Sequence, residues 1–316
     1  MRRLRSSAMV EPPTRHGVLI TFRRPVALVD HLERLAAQTV RLDTMLVVDN
    51  DADPRVRSLV EDPAARGAAD GSVGYLGLGG NPGPAGGIAA GIAHVLADAD
   101  DDDWVVLLDD DDPPPRADTL DALAAVTAEL DEREPRVAAV GLWGARLHRS
   151  GRLRAVDDDR PAPVDYLPGG ACPHYRVAAL REVDAPDARL FFGFDDLDLG
   201  LALERRGWGL WSSGLARDHG WASMVDQRRA SPTVGPPTWR RYYSLRNLVV
   251  VLRADGRHLA AAWMTLVAGF AKPLVNLMVR PRDAAASLRL NARAAVDGWR
   301  GRLGRTIDPS GAGVGE

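Results

Sequence analysis

Apolar residues in the first half of the chain fall in short unbroken runs separated by segments of helical period. Val18-Leu19-Ile20-Thr21-Phe22 is β-rich and ends in Arg23-Arg24-Pro25, which predicts a strand and a break. Between Val26 and Thr39, Leu28, Leu32, Leu35 and Ala36 recur at helical spacing, and Met45-Leu46-Val47-Val48 is a second buried run. Strand, helix and strand at this spacing form a βαβ unit, which predicts a parallel sheet with right-handed crossovers. Trp104 to Leu108 is an apolar run between turn signals and predicts a strand buried on both faces. Beyond it, Leu120, Leu123, Ala124, Val126, Thr127 and Leu130 mark one helix face. Val137 to Leu147 reads as strand, Arg146 to Pro163 as loop or hairpin, and Val177 to Leu180 as a further regular element. From Leu197 to Leu203 the alternation fits strand and helix equally, while Arg205-Arg206-Gly207 has the cations and glycine of a helix end. The predicted class is α/β, a mostly parallel sheet flanked by helices.

The pattern changes towards the C-terminus. Leu259 to Val279 is strongly apolar, interrupted at Lys272-Pro273, and barely long enough to span a bilayer. Arg280, Arg282, Arg289, Arg293, Arg300, Arg302 and Arg305 follow, interleaved with Leu288, Leu290, Val296, Trp299 and Leu303. Arginines among apolar residues suit the anionic face of a membrane, and a soluble helical hairpin packed on the main domain is the other reading. The chain divides on these grounds into a flexible basic tail (1–16), a main domain (17–255) and a helical extension (256–316). The tail has no apolar core, so it reads as neither signal peptide nor membrane anchor.

Composition narrows the partners. With 316 residues, 46% hydrophobic and 26% charged, the chain is of globular type and long enough for a large core. A net charge of -3 supplies no global basic field for nucleic acid. The single cysteine, Cys172, excludes an internal disulfide framework and fits a reducing, cytoplasmic compartment.

Candidate chemistry sits where the runs end. Asp109-Asp110-Asp111-Asp112 follows the Trp104 run, at the carboxyl end of a predicted buried strand, where open α/β sheets bind ligands. Neighbouring carboxylates raise one another's pKa, and a divalent cation with oxygen ligands resolves that repulsion and can hold a phosphate. The alternative is a solvated acidic loop, the reading given to Asp98 and Asp100 to Asp103. Asp49, at the end of the second run, is placed either to accept from a nucleotide or to cap the next turn. Gly77 to Gly87, with Asn81, leads into a helical run from Ile88, so backbone amides and a helix N-terminus could meet an anion. It is neither a Walker loop nor a dinucleotide fingerprint. Phe191-Phe192-Gly193-Phe194-Asp195-Asp196 sets paired carboxylates among aromatics, which raises a carboxyl pKa towards a general base; helix capping is the alternative. His219 in Asp218-His219-Gly220-Trp221 is a structural residue or a metal ligand. Arg240 to Asn247 groups cations with aromatics, suited to phosphate contact or to covering a helix surface.

Taken in order, these segments resemble family 2 glycosyltransferases of the GT-A fold, nearest to actinobacterial rhamnosyl- and galactofuranosyltransferases of cell-envelope synthesis. The resemblance runs from Gly17 to Asp255. It rests on Val18 to Phe22, Val47-Val48-Asp49-Asn50, Gly79-Gly80-Asn81 through Gly86-Gly87, Leu108-Asp109-Asp110-Asp111, and Phe192-Gly193-Phe194-Asp195-Asp196-Leu197-Asp198-Leu199. Tyr242-Tyr243-Ser244-Leu245-Arg246-Asn247 is similar to the family's Tyr-Tyr-x-x-Arg-Asn segment. What the resemblance implies is a Rossmann-like sheet and an inverting transfer of galactofuranose or rhamnose from a UDP- or dTDP-sugar. The acceptor is a hydroxyl of a glycan or lipid-linked glycan, reached at the inner face of the plasma membrane through peripheral contact. By the same resemblance, Asp109 and Asp111 hold Mg²⁺ or Mn²⁺ with His219 completing the site. Asp196 is the catalytic base, with Asp195 in reserve. Thr21, Arg23, Asp49, Gly80, Asn81, Gly86 and Asp110 fall to the nucleotide-sugar. Asp112 stands where the family commonly has Thr, which leaves the register of the metal pair open by one residue.

Two other classes fit parts of the pattern. A nucleotidyltransferase also places acidic metal ligands on an α/β sheet, but would carry a basic glycine-rich loop early in the chain, and none is present. A non-catalytic, membrane-associated nucleotide-sugar-binding module has no need of acids at both places.

Overall fold

A computed structural model describes residues 13–62, 67–184, 186–219, 238–271, 274–275, 278 and 281–308. The first twelve residues of the expected tail, the stretch from Gly220 through Met224, the Lys272-Pro273 interruption and Arg280 lie outside the described residues.

The chain opens with β1 (Arg15–Thr21), α1 (Pro25–Ala36), β2 (Thr44–Asp49), α2 (Pro54–Glu61), β3 (Val73–Gly77) and α3 (Gly83–Leu96). Then come β4 (Trp104–Asp109), α4 (Thr119–Arg133) and β5 (Val137–Gly141). Proline in the first turn of α1, α2 and α3 supplies a pre-set φ where no N–H is needed. Asp53 caps α2 by accepting from the Arg55 N–H at 2.8 Å. Further on lie β6 (Ala145–Leu147), β7 (Leu153–Ala155), β8 (Ala162–Val164), β9 (His174–Arg176), α5 (Val177–Arg181), α6 (Asp195–Arg205) and β10 (Gly209–Ser212).

Eight strands form one sheet in the order β3-β2-β1-β4-β9-β5-β10-β8. β3, β2, β1 and β4 run parallel, β5 and β10 are parallel to each other, and β9 is inserted antiparallel between β4 and β5. Successive residues of β1 serve opposite faces, as strand geometry requires. Leu19 joins Leu28, Leu32, Leu35, Met45, Val47 and Leu108 on one side. Val18 and Ile20 join Ile88, Ile92, Val105, Leu107 and Leu199 on the other. Burial on both faces explains the unbroken apolar runs.

The structure divides the expected Val137–Leu147 strand. β5 ends at Gly141 in the main sheet, and β6 pairs with β7 as a separate hairpin. The apolar run continues across the break because Leu142 and Trp143 are buried in the connection. α3 starts five residues before Ile88, and Leu197–Leu203 is helix. At the C-terminus, α7 (Trp239–Ala254) leads through α8 (His258–Met264) and a π-helical segment, Thr265–Ala271, to α9 (Pro281–Trp299). These elements share a third core with Phe191, Leu197, Leu201, Tyr242, Tyr243 and Val249. No helix among the described residues is long and apolar enough to cross a membrane.

Candidate active site

β1 has β2 on one side and β4 on the other, so the order of the sheet reverses there and a crevice opens at the carboxyl ends of β1 and β4. Thr21 ends β1 and Asp109 ends β4. Thr21 Oγ1 donates to Asp110 Oδ2 at 2.7 Å, the Phe22 N–H reaches the same oxygen at 3.4 Å, and Arg24 Nη1 donates to Asp110 Oδ1 at 3.1 Å. Arg24 Nη1 also reaches Asp111 Oδ2 at 2.5 Å. Asp110 is therefore buried with both oxygens engaged. Asp109, Asp110 and Asp111 each offer a carboxylate oxygen within 4.8 Å of the others. Desolvation, then the charges of Asp111, Asp110 and Asp112, push the Asp109 carboxyl up to about 7. Asp112 turns the other way, against Gly170, where any Cβ would collide with its carboxylate.

The donor set fits a hard divalent cation. Three clustered carboxylates offer oxygen only, and one of them resists ionising where the cluster stands alone.

Asp49 ends β2 with 0% exposure. Its oxygens accept from the N–H groups of Asp51 (3.0 Å) and Asp53 (2.7 Å) and from the Tyr75 hydroxyl (3.0 Å). Arg23, at φ 57°, donates to Asp51 at 2.6 Å. The glycine loop is drawn to the same strand end: the Leu78 N–H donates to Asp49 O and the Asn81 N–H to Asn50 O. Gly79, Gly80 and Asn81 all have positive φ (66°, 69° and 49°), and no atom stands within 4 Å of where a Cβ on Gly79 or Gly80 would lie. The first donors of α3 are spent internally. Asn81 Oδ1 accepts from the Gly83 N–H at 3.2 Å, and Phe191 O from the Ala85 N–H at 3.4 Å. Gly86 packs against Pro82, within the first turn of α3.

That last contact brings the second acidic segment to the first. Gly83, at φ 77°, lies so close under Phe191 O that no side chain fits, which pins the Phe191–Phe194 turn on the start of α3. Phe194 (φ 65°) then turns the chain into α6, whose first turn carries Asp195 and Asp196. Asp195 is buried, and desolvation pushes its carboxyl up to about 6, with Asp198's charge adding. Asp196 is the more accessible of the two. Both carboxylates, with Tyr166, raise the pKa of the buried Tyr175 hydroxyl on β9, next to β4, after desolvation as the main cause.

The Tyr-Tyr-x-x-Arg-Asn segment, expected at a phosphate or on a helix surface, takes a third role. Arg246 is 0% exposed, with its guanidinium 4.7 Å from the Tyr243 ring centroid. It donates to Leu190 O (2.7 Å) and Gly304 O (2.7 Å). Asn247 Nδ2 donates to the carbonyls of Leu190 (2.9 Å), Phe192 (2.9 Å) and Gly193 (2.8 Å). These two side chains hold the backbone that presents Asp195 and Asp196. Sequence gave no sign of this, because the acceptors lie more than fifty positions away.

His219 is buried, and Nδ1 lies 3.0 Å from Thr119 Oγ1 at the start of α4. Desolvation lowers its pKa, with Arg116 adding and Asp118 and Asp218 opposing. The structure does not bring it into the group of Asp109, Asp110 and Asp111. Arg24 was not singled out by sequence; its place just past a strand end at the switch point is the signal that marks it.

Residues 18–140 match the model of glycosyl transferase family 2. The chain is 35% identical over 205 residues to galactofuranosyltransferase GlfT1 of Mycobacterium tuberculosis, covering 60% of this chain and 64% of that protein. The protein of the same name from Mycolicibacterium smegmatis is 34% identical over 209 residues, 60% of this chain and 65% of that one. The aligned region thus spans just under two thirds of these relatives. Among solved structures, mannosyltransferase PcManGT of Pyrobaculum calidifontis, in complex with GDP-Man and Mn²⁺, superposes with a TM-score of 0.55. It shares 15% identity, over 92% of this chain and 88% of that one. S. aureus TarS in complex with UDP-GlcNAc gives 0.51 at 13% identity, over 90% and 81%. These likenesses carry the GT-A fold. Residues 18–140 thus match glycosyl transferase family 2, and over 60% of its length the chain is similar to the mycobacterial galactofuranosyltransferases GlfT1.

Proposed function

We propose that this chain is a metal-dependent, inverting glycosyltransferase of cell-envelope polysaccharide synthesis. It moves galactofuranose or rhamnose from a UDP- or dTDP-sugar to a hydroxyl of a glycan or lipid-linked glycan. The observation that carries this reading is the crevice at the switch point: Asp109, Asp110 and Asp111 cluster at the end of β4, and the turn leading into Asp195 and Asp196 is pinned on the start of α3. The likeness to galactofuranosyltransferases supports the choice of sugar.

Asp109 and Asp111 would hold Mg²⁺ or Mn²⁺, since Asp110 has both oxygens engaged by Thr21 and Arg24, Asp111 gives only Oδ2 to Arg24, and Asp112 faces Gly170. His219 could join only through Nε2, its Nδ1 being taken by Thr119. The bound cation supplies Lewis-acid neutralisation of the leaving diphosphate. Asp196 accepts the proton of the acceptor hydroxyl as that oxygen bonds to the anomeric carbon. The bond to the diphosphate breaks on the opposite side, its electron pair leaves with the nucleoside diphosphate, and the anomeric configuration inverts. Thr21 and Arg23 would line the base end. Asp49 acts there by fixing the turn that carries Asp51, and direct contact with a base requires that turn to open. Gly80, Asn81 and Gly86 shape the loop beside it.

A thermal-shift panel of UDP, dTDP and GDP with and without Mn²⁺, paired with a sugar-release assay, tests the reading. UDP or dTDP raises the melting temperature only with metal, and release follows from the matching nucleotide-sugar. No shift with any nucleotide and no release would overturn it.

A further inference from the structure

The C-terminal helices expose apolar side chains that the fold does not cover. Leu259, Trp263, Leu266 and Phe270 recur every three or four residues along α8 and the π-helical segment, which sets them on one side, and Leu274 beyond it is exposed as well. Leu259 is 89% exposed and Leu274 62%. The opposite side is the one the fold buries, through Ala260, Ala261 and Gly269. α9 extends the exposed face. Trp299 Nε1 donates to Thr265 Oγ1 at 3.0 Å and Asn291 Nδ2 to Ala268 O at 3.0 Å, which seats the exposed Val296 and Trp299 beside the stripe.

Charge says what covers it. Residues 256–316 hold nine Lys and Arg against four Asp and Glu, in a chain whose net charge is -3. On α9 and one residue past its end, Arg282, Arg289 and Arg300 are exposed and make no ion pair among the described residues. A second copy of the same cationic face would be repelled, and an acidic protein would leave so wide an apolar stripe poorly matched. An apolar stripe bordered by free guanidinium groups matches a bilayer interface, with acyl chains under the stripe and anionic headgroups on the arginines.

We propose that the exposed face of α8, the π-helical segment and α9 is a docking surface for anionic lipid bilayers, on which the protein lies without crossing. The surface is wired to the centre. After α9 the chain returns as Gly304–Ile307, where Thr306 Oγ1 lies 2.8 Å from the Tyr242 hydroxyl, Tyr243 donates to Ile307 O at 2.6 Å, and Arg246 donates to Gly304 O. Arg246 is one of the residues that hold the Asp195–Asp196 turn. A seated bilayer thus fixes the acceptor side of the crevice relative to the lipid plane.

Co-sedimentation of the full chain with phosphatidylglycerol-containing and pure phosphatidylcholine vesicles tests this, and it needs no turnover. The wild type partitions to anionic vesicles and much less to neutral ones. Leu266→Ser/Phe270→Ser and, separately, Arg289→Ala/Arg300→Ala each lower that partition about tenfold or more while far-UV circular dichroism and melting temperature stay put. Equal partition of wild type and variants, or no binding to anionic vesicles, overturns the proposal. So does a wild-type dimer in sedimentation equilibrium that Leu266→Ser/Phe270→Ser dissolves without any vesicle binding. Failure of the transferase reading would leave these results untouched.

Discussion

Asp195 and Asp196 show how adjacent carboxylates acquire different work. Asp195 is buried in the first turn of α6 and its carboxyl is pushed up to about 6 by desolvation; Asp196, one residue on, stays accessible. Because the folded pKa of Asp195 lies above its usual 3.8, the folded protein binds more protons in that window. The stability it contributes is complete below about 4 and is lost as pH rises through about 6. Asn mimics the protonated acid, so Asp195→Asn should gain on the wild type as pH rises. The difference in melting temperature between the two, followed across that window, should widen with pH and flatten above it. A constant difference would contradict the assignment. Buried His31 and His174 work in the opposite direction, since desolvation lowers them to about 4 and about 3 and acid costs stability. That is why the comparison needs the variant, not the wild type alone.

At the scale of elements, Asn247 is the clearest case of one side chain organising a loop. Its two amide N–H groups are shared among three carbonyls of the Leu190–Gly193 turn, one buried and two part-buried. Leaving buried carbonyls unmet costs about 1–3 kcal/mol each before relaxation. Asn247→Ala should therefore lower stability by about 2–4 kcal/mol in urea denaturation. Asn247→Asp should cost more, because it turns an acceptor on three acceptors. Equal or smaller loss for the aspartate would show that the amide donors matter less than the volume. The strands that were legible in sequence share one property, a continuous apolar run closed by turn residues: Val18 to Phe22, Met45 to Val48, Trp104 to Leu108. β3 was not legible, since it contains two glycines and is only half buried. β9 is three residues long and begins with a histidine, too short to carry a period. The break after Gly141 was hidden because the connection itself is buried.

For the whole molecule, the sheet order explains why the acidic motifs were readable and their supports were not. A parallel sheet places ligand residues just after strand ends, so Asp49 and Asp109–Asp112 announce themselves locally. The pairing of Asp110 with Thr21 and Arg24 joins positions more than eighty apart, and Arg246 with Asn247 joins the C-terminal helices to the turn before α6. His219 was legible in sequence as a structural residue or a metal ligand, and the structure adds a partner a hundred positions away, Thr119, for its Nδ1. The apolar and arginine-rich C-terminus was visible in sequence, but its single exposed face required α9 to be seen packed on the π-helical segment.

The central claim is that Asp196 removes the acceptor proton while Asp109–Asp111 grip the donor. The most direct test is Asp196→Asn, with turnover measured beside the affinity for the nucleotide-sugar and Mn²⁺ by titration calorimetry. The predicted result is loss of turnover by about two to four orders of magnitude with donor affinity nearly unchanged. Donor affinity lost together with turnover, or turnover retained, would contradict the account.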